Sequence, residues 1–304
     1  MSSPTLRCAD TARDRDDPKL GTAPVARAFL LIEHPGPWRY DALAGAGWSA
    51  AVVDALTADL RRSLGRLLLI RRPGRRPVTS SRAWAVTRVG GGTVWGTWEQ
   101  ESDLLVAAAS LSAPVSSLPV GDPVPEPGSM RPVLLVCAHG MHDTCCAVRG
   151  RPVATALARR WPDSTWECSH VGGDRFAANV VVLPDGTYYG GLDADSAIDV
   201  VAGHLDGRLD PTHLRGSVRW PPAAQVAVAA IHASLGPYAA DDVRAELWTA
   251  EGPGRWRVVV ALPPGRRIAV LVAGERRPAA HLTCAATQPT SAITFRVVSV
   301  GPAD

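Results

Sequence analysis

Two short patterns recur in this chain in the same order. LLIEHPG at 30–36 returns as LLVCAHG at 134–140, and GTVWGTW at 92–98 returns as GTYYGGL at 186–192. Repeated motifs in the same order require both copies to build the same elements, and two units of roughly a hundred residues imply an internal duplication. In the first copy AFLLIE reads as a buried strand, broken by the prolines and glycine of HPGPW. Val53, Leu56, Leu60 and Leu64 recur at three- and four-residue steps, which predicts a helix over Ala50 to Leu64. Strands at Leu67 to Arg72 and AWAVTR, a glycine turn at 90–92, strand TVWGTW and a helix from about Glu101 complete the unit. The second copy reads as strand VLLVC, helix RPVATALARRW, strand STWECSH, hairpin ANVVVLPDGTYYGG and a helix from about Asp195.

Strand, helix, strand, hairpin, helix is the order of a thioredoxin-like layer, in which a right-handed crossover makes the first two strands parallel and the hairpin widens the sheet. The expected class is therefore α/β: two thioredoxin-like units from an internal duplication, followed by a C-terminal helix and antiparallel strand extension. The expected division is a polar surface arm at 1–24, a unit without ligands at 25–113, a Pro/Ser/Gly-rich linker at 114–130, a ligand-bearing unit at 131–210 and the extension at 211–304. In the extension, Ala223 to Leu235 reads as helical, and DVRAELWTAEG, RWRVVVALP, RRIAVLVAG and ITFRVVSVG alternate like antiparallel strands.

The chemistry is concentrated between Cys137 and Asp174. Four of the six cysteines (Cys137, Cys145, Cys146, Cys168) and three of the eight histidines (His139, His142, His170) lie there, the density of a metal site. The first copy has Glu33 where the second has Cys137, so only the second unit is equipped for metal chemistry and the first serves as packing partner or docking surface. A net charge of +3 is too mild to argue for nucleic acid or an anionic membrane as partner. The N-terminal stretch has no apolar core of a leader and no apolar run reaches the length of a membrane span, so a cytoplasmic location is expected. Thiols stay reduced there, which makes clustered cysteines ligands or redox groups rather than disulfides.

Thiolates beside imidazole suit iron–sulfur or zinc and do not suit magnesium or calcium. Cys137 and Cys146 stand nine apart, wider than a zinc knuckle. No Cys-x-x-Cys redox pair is present, and the adjacent Cys145 and Cys146 would close only a strained disulfide. Outside this stretch, Cys8 reads as a stray exposed thiol and Cys284 as structural. His139 and His142 read as donors to cluster sulfurs or as turn caps, Arg175 as an outer partner of the site or a surface arginine, and Tyr188 and Tyr189 as sheet core.

CAHGMHDTCC, GRPVATAL, SHVGGDRFAANVVVLPDGTYYG and the earlier FLLIEHPGPW together resemble the sucrase/ferredoxin-like family, whose metal-binding unit is a thioredoxin-like ferredoxin domain. The resemblance implies a [2Fe–2S] cluster held by two cysteines of a Cys-x8-Cys segment and two histidines of a His-x3-His segment. Here these are Cys137, Cys146 and His170, with Asp174 standing where the second histidine belongs. Asp174 is the expected fourth ligand by position, with Cys168 and then Cys145 as rivals. The function this implies is a non-enzymatic one-electron carrier acting with a redox partner protein, without nucleic acid or membrane. The alternatives are a cluster-free thiol oxidoreductase using Cys145 and Cys146, and a structural zinc module. No carboxylate pair argues for the glycoside hydrolysis in the family's name.

Overall fold

The computed structural model describes residues 7–74, 80–111, 131–236 and 238–303; the linker expected at 114–130 lies outside the described residues. After α1 (Cys8–Asp14) come β1 (Ala28–Glu33), α2 (Ala50–Ser63), β2 (Gly65–Arg71), β3 (Arg82–Arg88), β4 (Thr93–Trp98) and α3 (Leu104–Ser110). The second half carries β5 (Val133–Cys137), α4 (Thr144–Arg160), β6 (Thr165–Cys168), β7 (Asn179–Leu183), β8 (Thr187–Gly190) and α5 (Ala194–Leu205). Then follow β9 (Leu214–Ser217), α6 (Pro222–Leu235), β10 (Arg244–Ala250), β11 (Arg255–Leu262), β12 (Arg266–Arg276) and β13 (Ile293–Pro302). No helix among the described residues is long and apolar enough to cross a membrane.

The two halves share one nine-stranded sheet of order β4-β3-β1-β2-β6-β5-β7-β8-β9. In the first half β1 and β2 are parallel across α2, and the β3–β4 hairpin lies antiparallel on the other side of β1. In the second half β5 and β6 are parallel across α4, and the β7–β8 hairpin lies antiparallel beyond β5. The order of the halves is thus mirrored about an antiparallel β2–β6 seam, where Ile70 faces Cys168 and Arg71 faces Glu167. Arg71 Nε donates to Glu167 at 2.7 Å across that seam. β9, in the segment read as extension, pairs with β8 and closes the edge of the large sheet.

Alternation assigns each strand residue to a face. Leu30 and Ile32 pack with α2 and α3, whereas Phe29 and Leu31 join the opposite core with Leu68 and Ile70. In β5, Leu134 and Val136 meet α4 and α5, whereas Leu135 and Cys137 point to the opposite core. That parity puts Cys137 Sγ on the side where Cys146 also lies. The four-stranded antiparallel sheet β10-β11-β12-β13 buries its apolar face against α6.

Three local expectations are corrected. The N-terminal segment is not a surface arm: Cys8, Ala9 and Ala12 of α1 are buried. Helix α2 buries Val52 and Leu56, and Leu64 lies beyond the helix as an exposed left-handed C-cap with φ 49°. The helix read as beginning at Arg151 starts a full seven residues earlier, at Thr144, because the Asp143 side chain caps it by accepting the backbone N–H of Cys145 at 2.8 Å. Cys145 and Cys146 therefore sit on a helical first turn, not in a loop.

Candidate metal centre

The centre forms where β5 ends and α4 begins. Cys137 is the last residue of β5, and a turn through His139 and Gly140 leads to the capped start of α4. A Cβ on Gly150 would stand 2.0 Å from the Cys137 carbonyl oxygen, so only glycine lets α4 lie this close to the strand end and bring Cys146 to Cys137. The third contribution follows β6. Beyond Cys168, Ser169 Oγ accepts the Leu69 N–H at 3.0 Å across the seam. Gly172 and Gly173 then adopt φ of 90° and 78° and turn the chain back into a short 3-10 turn that begins at Asp174.

Cys137, Cys146 and His170 bring one donor atom each within 4.8 Å of one another. Asp174 joins them: Cys146 Sγ lies 3.2 Å from Oδ1. His170 Nδ1 lies 3.0 Å from the same oxygen, as an ion-pair contact rather than an aligned hydrogen bond, which leaves Nδ1 buried without a hydrogen-bond partner. Cys137, Cys146 and Asp174 are buried, and the His170 side chain is 26% exposed. The donors thus fall into two overlapping groups, Cys137, Cys146 and His170 on one side and His142, His170 and Asp174 on the other, joined through His170 and the Cys146–Asp174 contact. Cys168 is not among them: it ends β6, pairs in register with Cys137 on the neighbouring strand and packs into the apolar core. It shares that core with Cys137 and Cys146, yet no group of closely spaced donors among the described residues includes it.

Electrostatics follow from this crowding. Hydrogen bonding from the Cys146 thiol, against the cost of burial and aided by His170, holds the Cys137 thiol well below its ordinary pKa. Cys146 is pushed up by its bond to Cys137, by burial and by the negative charges of Cys137 and Asp174. Burial opposes charging of His170, but Asp174 and Cys137 outweigh it and its pKa rises to about 9. Burial likewise opposes the Asp174 carboxylate, and His170 outweighs it and lowers its pKa. Two sulfurs, one nitrogen and one oxygen form a donor set for a transition metal rather than for magnesium or calcium.

The first half supplies the cover. His139 Nε2 is 2.7 Å from the Arg39 carbonyl oxygen and His142 Nδ1 is 3.2 Å from that of Tyr40. These histidines therefore reach across the halves to main-chain oxygens rather than capping their own turn. Trp38 meets His139 edge-on at 5.8 Å, and Tyr40 stacks on His142, which stacks on His170 at 3.7 Å. Arg175 is neither a surface residue nor a partner of the four donors: it pairs with Asp17 at 3.7 Å and lies over Phe176. Tyr188 and Tyr189 are sheet core, as expected.

Sequence reasoning missed Arg215 of β9, which is 1% exposed. It donates to Gly172 O, Asn179 Oδ1, Thr22 O and Thr22 Oγ1 at 2.8–3.0 Å, holding the glycine loop that carries His170 and Asp174. Burial lowers its pKa to about 10. An arginine in a short strand gives no signal of this, because its partners lie in three distant segments. Cys8 was also misjudged. It is buried, and together with Cys145, Cys284 and Asp143 it forms a second group of closely spaced donors.

A search among curated proteins and another among solved structures returned no match. The family model described as "Sucrase/ferredoxin-like" matches residues 20–216, which span both halves of the large sheet and every donor of the first centre. With that match over well more than half of its length, the chain belongs to the sucrase/ferredoxin-like family.

Proposed function

We propose that this protein is a one-electron carrier that holds one [2Fe–2S] cluster on Cys137, Cys146, His170 and Asp174, in the second of two duplicated thioredoxin-like units. The observation that carries the reading is the convergence of these four donors from the β5 end, the α4 start and the glycine loop, with His170 Nδ1 buried and lacking a hydrogen-bond partner. Such a donor set fits the group, which when bound supplies reversible one-electron transfer. Cys137 and Cys146 offer thiolates, His170 a neutral imidazole nitrogen and Asp174 a carboxylate oxygen. Arg215 fixes the loop that presents the last two, and Trp38 with His139 closes the inner side. On the outer side the stack of His170, His142 and Tyr40 leads to solvent, where Tyr40 and Met141 are 60% and 68% exposed. That patch suits a redox partner protein, in a cytoplasmic setting.

A structural zinc module is the second reading, favoured by the mutual approach of Cys137, Cys146 and His170 within 4.8 Å. The thiol oxidoreductase reading fails as a Cys145–Cys146 pair, since the two cysteines belong to different side-chain clusters. Visible absorption with iron and acid-labile sulfide analysis of anaerobically purified protein decides between iron and zinc. The expected result is two irons and two sulfides per chain, and their absence from carefully prepared wild type sinks the carrier reading. Potentiometry adds a second measurement. Replacing a neutral ligand by an anionic one disfavours the reduced form, so His170→Cys is expected to lower the midpoint potential by on the order of 100 mV.

A further inference from the structure

Three cysteines that are far apart in the chain meet on the opposite side of the α4 start from the first centre. Cys8 comes from α1, Cys145 from the first turn of α4, and Cys284 from the segment between β12 and β13. Cys145 Sγ is 3.4 Å from Cys284 Sγ, and Cys284 Sγ is 3.5 Å from Cys8 Sγ. Asp143, 2% exposed, directs its carboxylate into the same group, with Oδ2 3.5 Å from Cys8 Sγ. The four donor atoms all lie within 4.8 Å of one another. Each Asp143 oxygen also accepts a backbone N–H, Oδ1 from Cys145 at 2.8 Å and Oδ2 from Cys284 at 2.6 Å, so the carboxylate is aimed by two of the segments it joins. Ala9 and Ala177 pack around the thiols and shield them.

We infer that Cys8, Cys145, Cys284 and Asp143 form a second, structural metal site that takes a single zinc ion. Tetrahedral zinc with sulfur at ~2.3 Å and oxygen at ~2.0 Å sets sulfur–sulfur separations of roughly 3.7 Å and sulfur–oxygen separations of roughly 3.5 Å. The observed spacings of 3.4, 3.5 and 3.5 Å come within a few tenths of an ångström of these. A closed set of four protein donors leaves no position for substrate, which is the arrangement of a structural rather than a catalytic site. On binding, the thiols release their protons to solvent and the sulfur–metal bonds replace the thiol contacts. The negative charge of the ligands faces the N-terminus of α4, where the helix dipole favours it. The ion ties α1 and the segment around Cys284 to the helical turn that also presents Cys146, so it braces one wall of the first centre. This inference stands whether that centre holds iron or not, because Cys8 and Cys284 contribute nothing to it.

The test uses the full-length reduced protein, gel-filtered free of loose metal and measured for zinc, with X-ray absorption at the zinc edge. The expected result is one zinc per chain, with three sulfurs near ~2.3 Å and one oxygen near ~2.0 Å. Cys8→Ser and Cys284→Ser are expected to lose the zinc while keeping the iron and sulfide of the first centre, and Cys168→Ser to keep both. Four outcomes overturn the inference: no zinc retained by wild type, zinc without a sulfur shell, zinc unchanged in both Cys8→Ser and Cys284→Ser, or a disulfide among Cys8, Cys145 and Cys284 in protein purified under thiol-protecting conditions. The absorption measurement reads the wild type directly even where a variant fails to fold: three sulfurs to one oxygen marks this site, whereas zinc held by the first centre would show two sulfurs to two lighter atoms.

Discussion

Cys146 and Asp174 stand 28 residues apart in sequence and meet with Sγ 3.2 Å from Oδ1, inside a site that buries both. Cys168, nearer to His170 in sequence than Asp174 is, belongs to no group of closely spaced donors among the described residues. Asp174→Ala is therefore expected to lose most of the bound metal and to alter the paramagnetic resonance of the reduced protein, whereas Cys168→Ala keeps both. Bleaching by Cys168→Ala with no effect of Asp174→Ala would reverse the assignment of the fourth ligand.

Gly150 tests how closely helix and strand must approach. Alanine is favoured over glycine inside a helix by about 1 kcal/mol. Here its Cβ would meet the Cys137 carbonyl oxygen at 2.0 Å, and the helix would have to back away from β5. Overpacking of this kind costs about 1–3 kcal/mol. Gly150→Ala is expected to lower stability in urea denaturation and to reduce metal content, since Cys146 moves with the helix. A more stable variant with full metal content would contradict the account.

The glycine loop offers a paired comparison. Gly172 and Gly173 both have positive φ, so alanine at either costs about 1–2 kcal/mol of backbone energy. At Gly172 an added Cβ meets nothing within 4 Å, whereas at Gly173 it stands 2.4 Å from Arg215 Nη2. Gly173→Ala is expected to be clearly the more destabilising of the two and to release metal, and Gly172→Ala to retain it. Equal effects at both positions would mean that Arg215 does not set the loop.

Arg215→Met extends the same argument. It removes the donors to Gly172 O, Asn179 Oδ1 and both Thr22 oxygens, and a buried acceptor left without a donor costs about 1–3 kcal/mol. A loss of at least about 3 kcal/mol by denaturant titration is expected; a loss below about 1 kcal/mol refutes the bracing role.

Asp193, which is a donor of neither proposed metal site, provides a pH test. Its side chain caps α5 by accepting the N–H groups of Asp195 and Ser196 at 3.2 and 2.9 Å, and bonds from Ser196 lower its pKa. A depressed folded pKa means that the stabilisation is present above the unfolded value of about 3.9 and lost as pH falls through the folded value. Asp193→Ala is expected to cost about 1 kcal/mol at pH 7, with the difference from wild type vanishing below the folded pKa. A difference that persists in acid would assign the effect to something other than the charged cap.

Local order in the chain was enough for the central strands and helices of both halves, but not for α1, β9 or the start of α4. Continuous apolar runs marked AFLLIE and VLLVC as buried strands, and apolar residues at three- and four-residue steps marked α2. The density of cysteine and histidine between Cys137 and Asp174 marked a metal site, and only the family resemblance picked Cys137, Cys146, His170 and Asp174 out of it. What the sequence left open are the relationships made by chain segments far apart. The β2–β6 seam joins two halves whose own strands could equally have formed separate sheets, and only the side-by-side packing that pairs Arg71 with Glu167 decides it. The same holds for Cys8, which sits in a polar stretch yet is buried because α1 folds onto Cys145 and Cys284. It holds for Arg215, whose charge is accommodated in the core only because Thr22, Gly172 and Asn179 converge on it. Composition nearby predicts exposure for both, and tertiary contacts overrule it, because the free energy of burying a polar group depends on partners that no local window contains.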